Sequence, residues 1–286
     1  MTNDIPPEIF DRRRRSAIWD RSATRRSGDN FLWQYMADEL QDRLAMVSRD
    51  FADILFIGPI AGFCRQILSG RQASSVVKAH VSAAACSGTE TTIEEDRLPF
   101  APDSFDLIIS AGTLDSVNDL PGALVQLRRT LRPDGLLLAT LFGGGSLRAL
   151  KASMMRADGD MVHAHIHPQI DLRSGADLMS RAGFALPVAD QDRLDVRYRD
   201  WRTLVRDLRD SGIGNALAGA RSYLGREYPA RLDVAWMQLA EADGKVTESF
   251  NFLQLSGWAP SPDQPKPAPR GSGSVSLSAV LKPSRK

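Results

Sequence analysis

Residues 31 to 47 place Phe31, Leu32, Tyr35, Met36, Leu40, Leu44 and Val47 at intervals of three and four, with Asp38, Asp42 and Arg43 on the opposite side. This spacing predicts an amphipathic helix. The next apolar run, Asp53-Ile54-Leu55-Phe56-Ile57, is short and stops at Gly58-Pro59. A strand buried on both faces of a parallel sheet reads this way. A short helix is predicted over 61 to 68, then strands over 75 to 79, 91 to 93 and 105 to 110. Pro121 suits the first turn of a following helix, where a missing N–H costs nothing. Arg132-Pro133-Asp134-Gly135 reads as a turn before a strand over 136 to 141. The alternation predicts an α/β fold, a doubly wound, seven-stranded and mostly parallel sheet.

Past residue 145 the pattern predicts helices over 146 to 156 and 171 to 182, the second ended by Gly183, and a short strand over 185 to 189. The segment 198 to 240 reads as an inserted helical stretch. Residues 247 to 255 alternate and are expected to form the antiparallel edge strand. Five prolines between 260 and 270, followed by Gly271-Ser272-Gly273-Ser274, predict an extended tail. The expected organisation is a basic arm over 1–30, one domain over 31–257 and a tail over 258–286.

At 286 residues, 43% hydrophobic and 25% charged, the composition is that of an ordinary soluble globular chain. No apolar run approaches the roughly 20 residues of a membrane span. The amino-terminal charges are not followed by an apolar stretch, so no secretory signal is expected and placement in the cytoplasm follows. Cys64 and Cys86 form no C-x-x-C pair and read as buried thiols, and no metal is expected. The net charge of +1 hides an asymmetry: Arg12, Arg13, Arg14, Arg15, Arg21, Arg25 and Arg26 all precede residue 30. Arg12, Arg13, Arg14 and Arg15 are consecutive and cannot share one helical face. They read as a solubilising arm or as a peripheral docking element for an acidic protein or lipid surface. Trp201 and Trp236 fall in expected helices and read as packing residues, so nucleic acid is not an expected partner.

The run Leu98-Pro99-Phe100-Ala101-Pro102-Asp103-Ser104-Phe105-Asp106-Leu107-Ile108-Ile109-Ser110 resembles a signature of class I S-adenosylmethionine (SAM) methyltransferases. Leu131-Arg132-Pro133-Asp134-Gly135 resembles their turn after the fourth-strand helix. Several further pieces resemble the complex I assembly factor 5 branch: Ile9-Phe10-Asp11-Arg12, Val117-Asn118-Asp119-Leu120-Pro121, Leu141-Phe142-Gly143-Gly144 with Leu147, Arg181-Ala182-Gly183-Phe184, Gly257-Trp258 and Arg270-Gly271-Ser272. The biotin-pathway malonyl-carrier-protein methyltransferase is a more distant likeness. The resemblance implies a SAM-binding sheet and, on the assembly-factor side, hydroxylation of an arginine on a complex I subunit.

The chain departs from that family where SAM should sit. Members end the first strand in an acidic residue followed by G-x-G-x-G, which lets backbone approach the ligand at a helix amino terminus. Here Phe56 replaces the acid and Ile60 the central glycine, while Gly58 and Gly62 remain. Those two glycines serve equally as turn residues. The acid that would take the ribose hydroxyls at the end of strand two is His80. Losing such a charge-assisted hydrogen bond costs about 1.5–3 kcal/mol, or roughly ten- to hundredfold in affinity.

Glu94, Glu95 and Asp96 read either as acceptors for the adenine amino group or as a solvated acidic turn. Asp115 replaces an aromatic segment of the branch, and Asp106 reads as a structural strand residue. His163, His165 and His167 with Asp160 alternate as metal ligands would, but no further spacing supports a site and a surface loop is expected. The expected function is that of a pseudoenzyme: a factor in assembly of bacterial NADH:quinone oxidoreductase that acts on or binds a protein subunit, its SAM site degraded. The alternative is an active SAM-dependent methyltransferase, or a hydroxylase of the assembly-factor type.

Overall fold

The apolar run after Ala52 forms β1 (Asp53–Ile57), which lies between β2 (Ser75–His80) and β4 (Phe105–Ala111) and pairs with both in parallel. This computed structural model describes residues 8–25, 30–85, 90–161, 163–220 and 223–264. Arg26, Cys86 and the sequence beyond 264, including most of the expected tail, lie outside the described residues. The sheet runs β3-β2-β1-β4-β5-β7-β6, with β3 (Thr91–Thr92), β5 (Leu131–Phe142), β6 (Ala185–Tyr198) and β7 (Val246–Trp258). Strand order reverses between β1 and β4, and a crevice opens outside the carboxyl ends of the strands at that switch point.

Three expectations are corrected. The strand near 247 to 255 is antiparallel but internal, since β7 lies between β5 and β6 and pairs antiparallel with each. The edge is β6, a strand of 14 residues where a short one was expected. On β6 Leu194, Val196 and Tyr198 alternate towards the core, and the interleaved charges break up the apolar run that would announce a long strand. The helix expected over 61 to 68 is a 3₁₀ turn (Pro59–Phe63) leading into a single α-turn, α3 (Cys64–Ile67).

The remaining helices cover the two faces of the sheet. Strand alternation splits the core: Ile54 and Phe56 pack on one face, Leu55 and Ile57 on the other. The first face carries α1 (Arg12–Arg25), α2 (Phe31–Ala45), α5 (Arg148–Asp158), α7 (Trp201–Asp210) and α8 (Tyr228–Met237). The second carries α4 (Leu120–Thr130) and α6 (Leu172–Arg181). Side-chain caps set several starts: Asn30 accepts from the amides of Leu32 and Trp33, Asp119 from Gly122, Asp171 from Ser174 and Asp200 from Thr203. Trp236 is buried, and Trp201 donates its indole N–H to Asp233 at 2.8 Å. Among the described residues no helix is long and apolar enough to cross a membrane.

The four consecutive arginines do not form a free basic surface. Arg12 bonds Glu8, Glu94 and Asp96, Arg14 donates to the carbonyls of Leu217 and Gly219, and Arg15 is buried against Glu95. Only Arg13 is exposed. Four successive residues on a helix must point around its axis, and here three of those directions meet acceptors of this same chain.

Candidate functional site

The crevice at the switch point is built from the carboxyl ends of β1, β2 and β4, and helix α1 fills it. Gly58 follows β1 with φ +91°. A Cβ there would stand 2.6 Å from the Ala111 carbonyl oxygen and 2.7 Å from Thr113 Cγ2, so close approach of the β1 and β4 ends demands glycine. Ile60 turns into the same core cluster as Trp19 and Trp33. At the end of β2 His80 is buried; its Nδ1 accepts from the Ser82 amide at 3.1 Å, and its ring stands T-shaped to Trp19 with centroids 5.1 Å apart. Trp19 in turn lies 6.0 Å from Trp33, and Trp33 presses on Gly112, where an added Cβ would meet the indole at 2.1 Å.

Arg15 lies one turn before Trp19 on α1. Its guanidinium donates to both Glu95 oxygens at 2.9 and 2.7 Å, to the Thr113 carbonyl at 2.7 Å and to Ser116 Oγ at 2.9 Å. The space left beneath it, bounded by Arg15, Trp19, Gly112, Asp115 and His167, is about 20 Å³. That is room for a single water. Towards β3 a more open pocket of about 350 Å³ is lined by Arg12, Arg15, Thr92, Glu94 and Arg97.

Beyond β5 lies a second cavity, of about 220 Å³, walled by Phe142, Leu147, Leu150, Met154 and Leu208. Asp115 and His167 face both this cavity and the small space under Arg15. Burial raises the Asp115 carboxyl to about 6, against the pull of Arg15, and leaves its Oδ1 without a partner among the described residues. Burial, then Arg15, lowers His167 to about 4, so its Nε2 stays unprotonated and accepts the Ala216 amide at 2.9 Å.

Comparison with known proteins fits this geometry. A methyltransferase-domain family model matches residues 62–139. The mitochondrial arginine-hydroxylase NDUFAF5 of Danio rerio is 28% identical over 288 residues, which cover 96% of this chain and 90% of that protein. The malonyl-[acyl-carrier protein] O-methyltransferase of Xylella fastidiosa is 37% identical over 57% of this chain and 55% of its own. Among solved structures, the YcgJ protein of Bacillus subtilis superposes with a TM-score of 0.52 at 14% identity, over 78% of this chain and 99% of that one. The chain has the class I methyltransferase fold and carries a methyltransferase-domain match over residues 62–139. The family match begins at Gly62, within the turn after β1 and beyond both Phe56 and Ile60.

Against this family background the sequence-derived candidates separate. Gly58, Ile60 and His80 come together at the crevice, whereas Gly62 is exposed with no atom within 4 Å of an added Cβ. Glu95 is fully buried and held by Arg15, and Glu94 pairs with Arg12 at 2.8 Å. Phe56 is buried in the core. Asp106 sits at the opposite end of the sheet, accepting from the Ala52 and Asp53 amides and from Arg132. The histidines serve separate contacts: His165 meets Asp158 at 2.9 Å, His163 packs on His165, and His167 binds the Ala216 amide. Sequence reasoning did not single out Trp19 and Trp33, nor the walls of the second cavity. The available signal was the Arg15–Trp19 spacing of four, which puts both on one face of α1.

Proposed function

We propose that this chain is a methyltransferase-fold assembly factor that binds a protein subunit of NADH:quinone oxidoreductase in the cytoplasm, with its SAM chemistry lost or greatly weakened. The observation that carries this reading is the filling of the switch-point crevice by Trp19, Trp33 and Arg15, which leaves about 20 Å³. Pockets that hold cofactor-sized ligands run to roughly 300–1,000 Å³. The residues that would grip an adenosyl group do not fit the task either. Phe56 is apolar, Ile60 closes the turn, His80 holds no fixed negative charge and Glu95 is committed to Arg15.

Besides the pocket towards β3, the cavity beyond β5 stays open, apolar along its walls and anionic at its inner end. At the inner end the Arg15–Glu95 charges cancel and His167 is neutral, which leaves the Asp115 carboxylate as the net charge there at physiological pH. A side chain with an aliphatic stem and a cationic tip matches that lining. The names of the arginine-hydroxylase relatives point to the same side chain. In this reading the cavity holds a basic residue of the subunit.

Calorimetric titration of the full chain with SAM tests the proposal, with a dissociation constant weaker than about 100 μM expected. Low-micromolar binding would overturn it. The chain would then read as an active SAM-dependent methyltransferase or arginine hydroxylase, for which the 350 Å³ pocket beside Thr92 and Glu94 is the supporting feature.

A further inference from the structure

The polar groups lining the cavity beyond β5 are nearly all spoken for by the protein itself. Ser146 Oγ donates to the Gly143 and Asn251 carbonyls, and Gln169 bridges the Gly145 amide and the Ser146 carbonyl. His165 is held by Asp158 and His167 by the Ala216 amide. Asn215 donates to the Ala164 carbonyl and accepts from the Leu217 amide. Two lining groups remain: Asp115 Oδ1, which has no partner, and Arg209, whose side chain has neither hydrogen bond nor ion pair among the described residues.

These opposite charges do not meet. No hydrogen bond or ion pair joins Asp115 to Arg209 among the described residues, and Asp115 Oδ1 has no partner there. Asp115 also borders the small space under Arg15 and so marks the inner end, whereas Arg209 is exposed on α7 and marks the mouth. Leu147, Leu150, Met154 and Leu208 line the same cavity.

We infer that Arg209 binds a carboxylate on the same ligand whose cation reaches Asp115. The cavity then takes a dipolar group: a guanidinium or ammonium at the tip of an aliphatic stem, and an acidic group at its root. A basic residue with an acidic neighbour in a protein has this chemistry, and so does a free basic amino acid. The inference rests on Asp115 as the cation acceptor proposed above and adds to it a selective contact at the mouth. Leaving Arg209 exposed until a ligand arrives costs little, because a solvated guanidinium needs no protein partner.

Binding to the full chain is measured by calorimetry with end-blocked Gly-Arg-Gly and Asp-Arg-Gly tripeptides, agmatine and L-arginine. The acidic tripeptide is expected to bind about two- to fivefold tighter than the neutral one, the range of a partly exposed charge pair. L-Arginine should exceed agmatine by a similar factor. In Arg209→Gln the acidic tripeptide should fall to the level of the neutral one. Equal affinities in the unmodified chain, or a gap that survives Arg209→Gln, overturn the inference while leaving Asp115 in place. If Gly-Arg-Gly fails to bind, or binds Asp115→Asn equally well, the cation site falls and this inference with it. L-Arginine matching the acidic tripeptide identifies the free amino acid as the source; weaker binding identifies the protein segment.

Discussion

Arg15 and Glu95 face each other across the crevice with two hydrogen bonds of 2.9 and 2.7 Å, though 80 residues of sequence separate them. Both are buried, and Ser116 and the Thr113 carbonyl take the rest of the guanidinium. Removing one member of such a pair strands a charge away from water. Arg15→Gln or Glu95→Gln alone should therefore cost about 3–5 kcal/mol, with the Arg15→Met, Glu95→Leu double variant recovering much of the loss. Urea denaturation of the three variants checks this. Equal stability of Arg15→Gln and the parent would mean that the buried Arg15–Glu95 pair contributes nothing to the fold. Neutralising all four arginines, harmless for a free basic arm, is by the same argument expected to destabilise.

Asp115 and His167 give stability opposite pH slopes. The folded Asp115 carboxyl is raised to about 6, so between its ordinary value near 4 and 6 the native state binds more protons and stability falls as pH rises. His167 is lowered to about 4, so between 4 and its ordinary value near 6.5 the native state binds fewer protons and stability rises with pH. The two slopes offset in the shared window. Asp115→Asn should unmask a rise with pH and His167→Asn a fall, each on the order of 2 kcal/mol. Stability difference curves against the parent from pH 4 to 7 read this directly, and parallel curves would refute it.

The two turn glycines should behave differently. Gly58→Ala forces a Cβ to within 2.6 Å of the Ala111 oxygen at φ +91°, and a loss of about 3 kcal/mol or more is expected. Gly62→Ala meets open space and should be neutral or stabilising by about 0.5 kcal/mol. Thermal melts of the pair test the assignment of Gly58 to strand packing.

Trp19→Ala removes the largest side chain over His80 and should cost about 3–5 kcal/mol. SAM affinity should still stay weaker than about 100 μM, because Ile60 and His80 remain. Adding Ile60→Gly and His80→Asp should then tighten binding at least roughly tenfold. Low-micromolar affinity in Trp19→Ala alone would show that α1 merely covers an intact site.

The sheet was legible because its elements are local. A buried parallel strand announces itself as a short apolar run, and β1, β2 and β4 were read within a residue or so of their limits. The signature around Phe105 and the turn residues placed the fold, and Phe56, Ile60 and His80 marked the departure from the family's residue pattern at the ends of β1 and β2. Where β6 ends and that β7 lies inside the sheet were not legible, since charged residues interrupt β6 and strand order depends on pairings between distant segments.

The chain by itself thus determined the class of fold and the unusual residues of its first turn, because both are written in short-range residue patterns. Only the tertiary structure decided where the arginines of α1 go. Periodicity says that Arg15 and Trp19 share a face but not what that face meets. The match with Glu95, His80 and Gly112 forms when segments far apart in sequence close over the strand ends. The unpaired charges of Asp115 and Arg209 became visible only then, once each of their neighbours had found its partner.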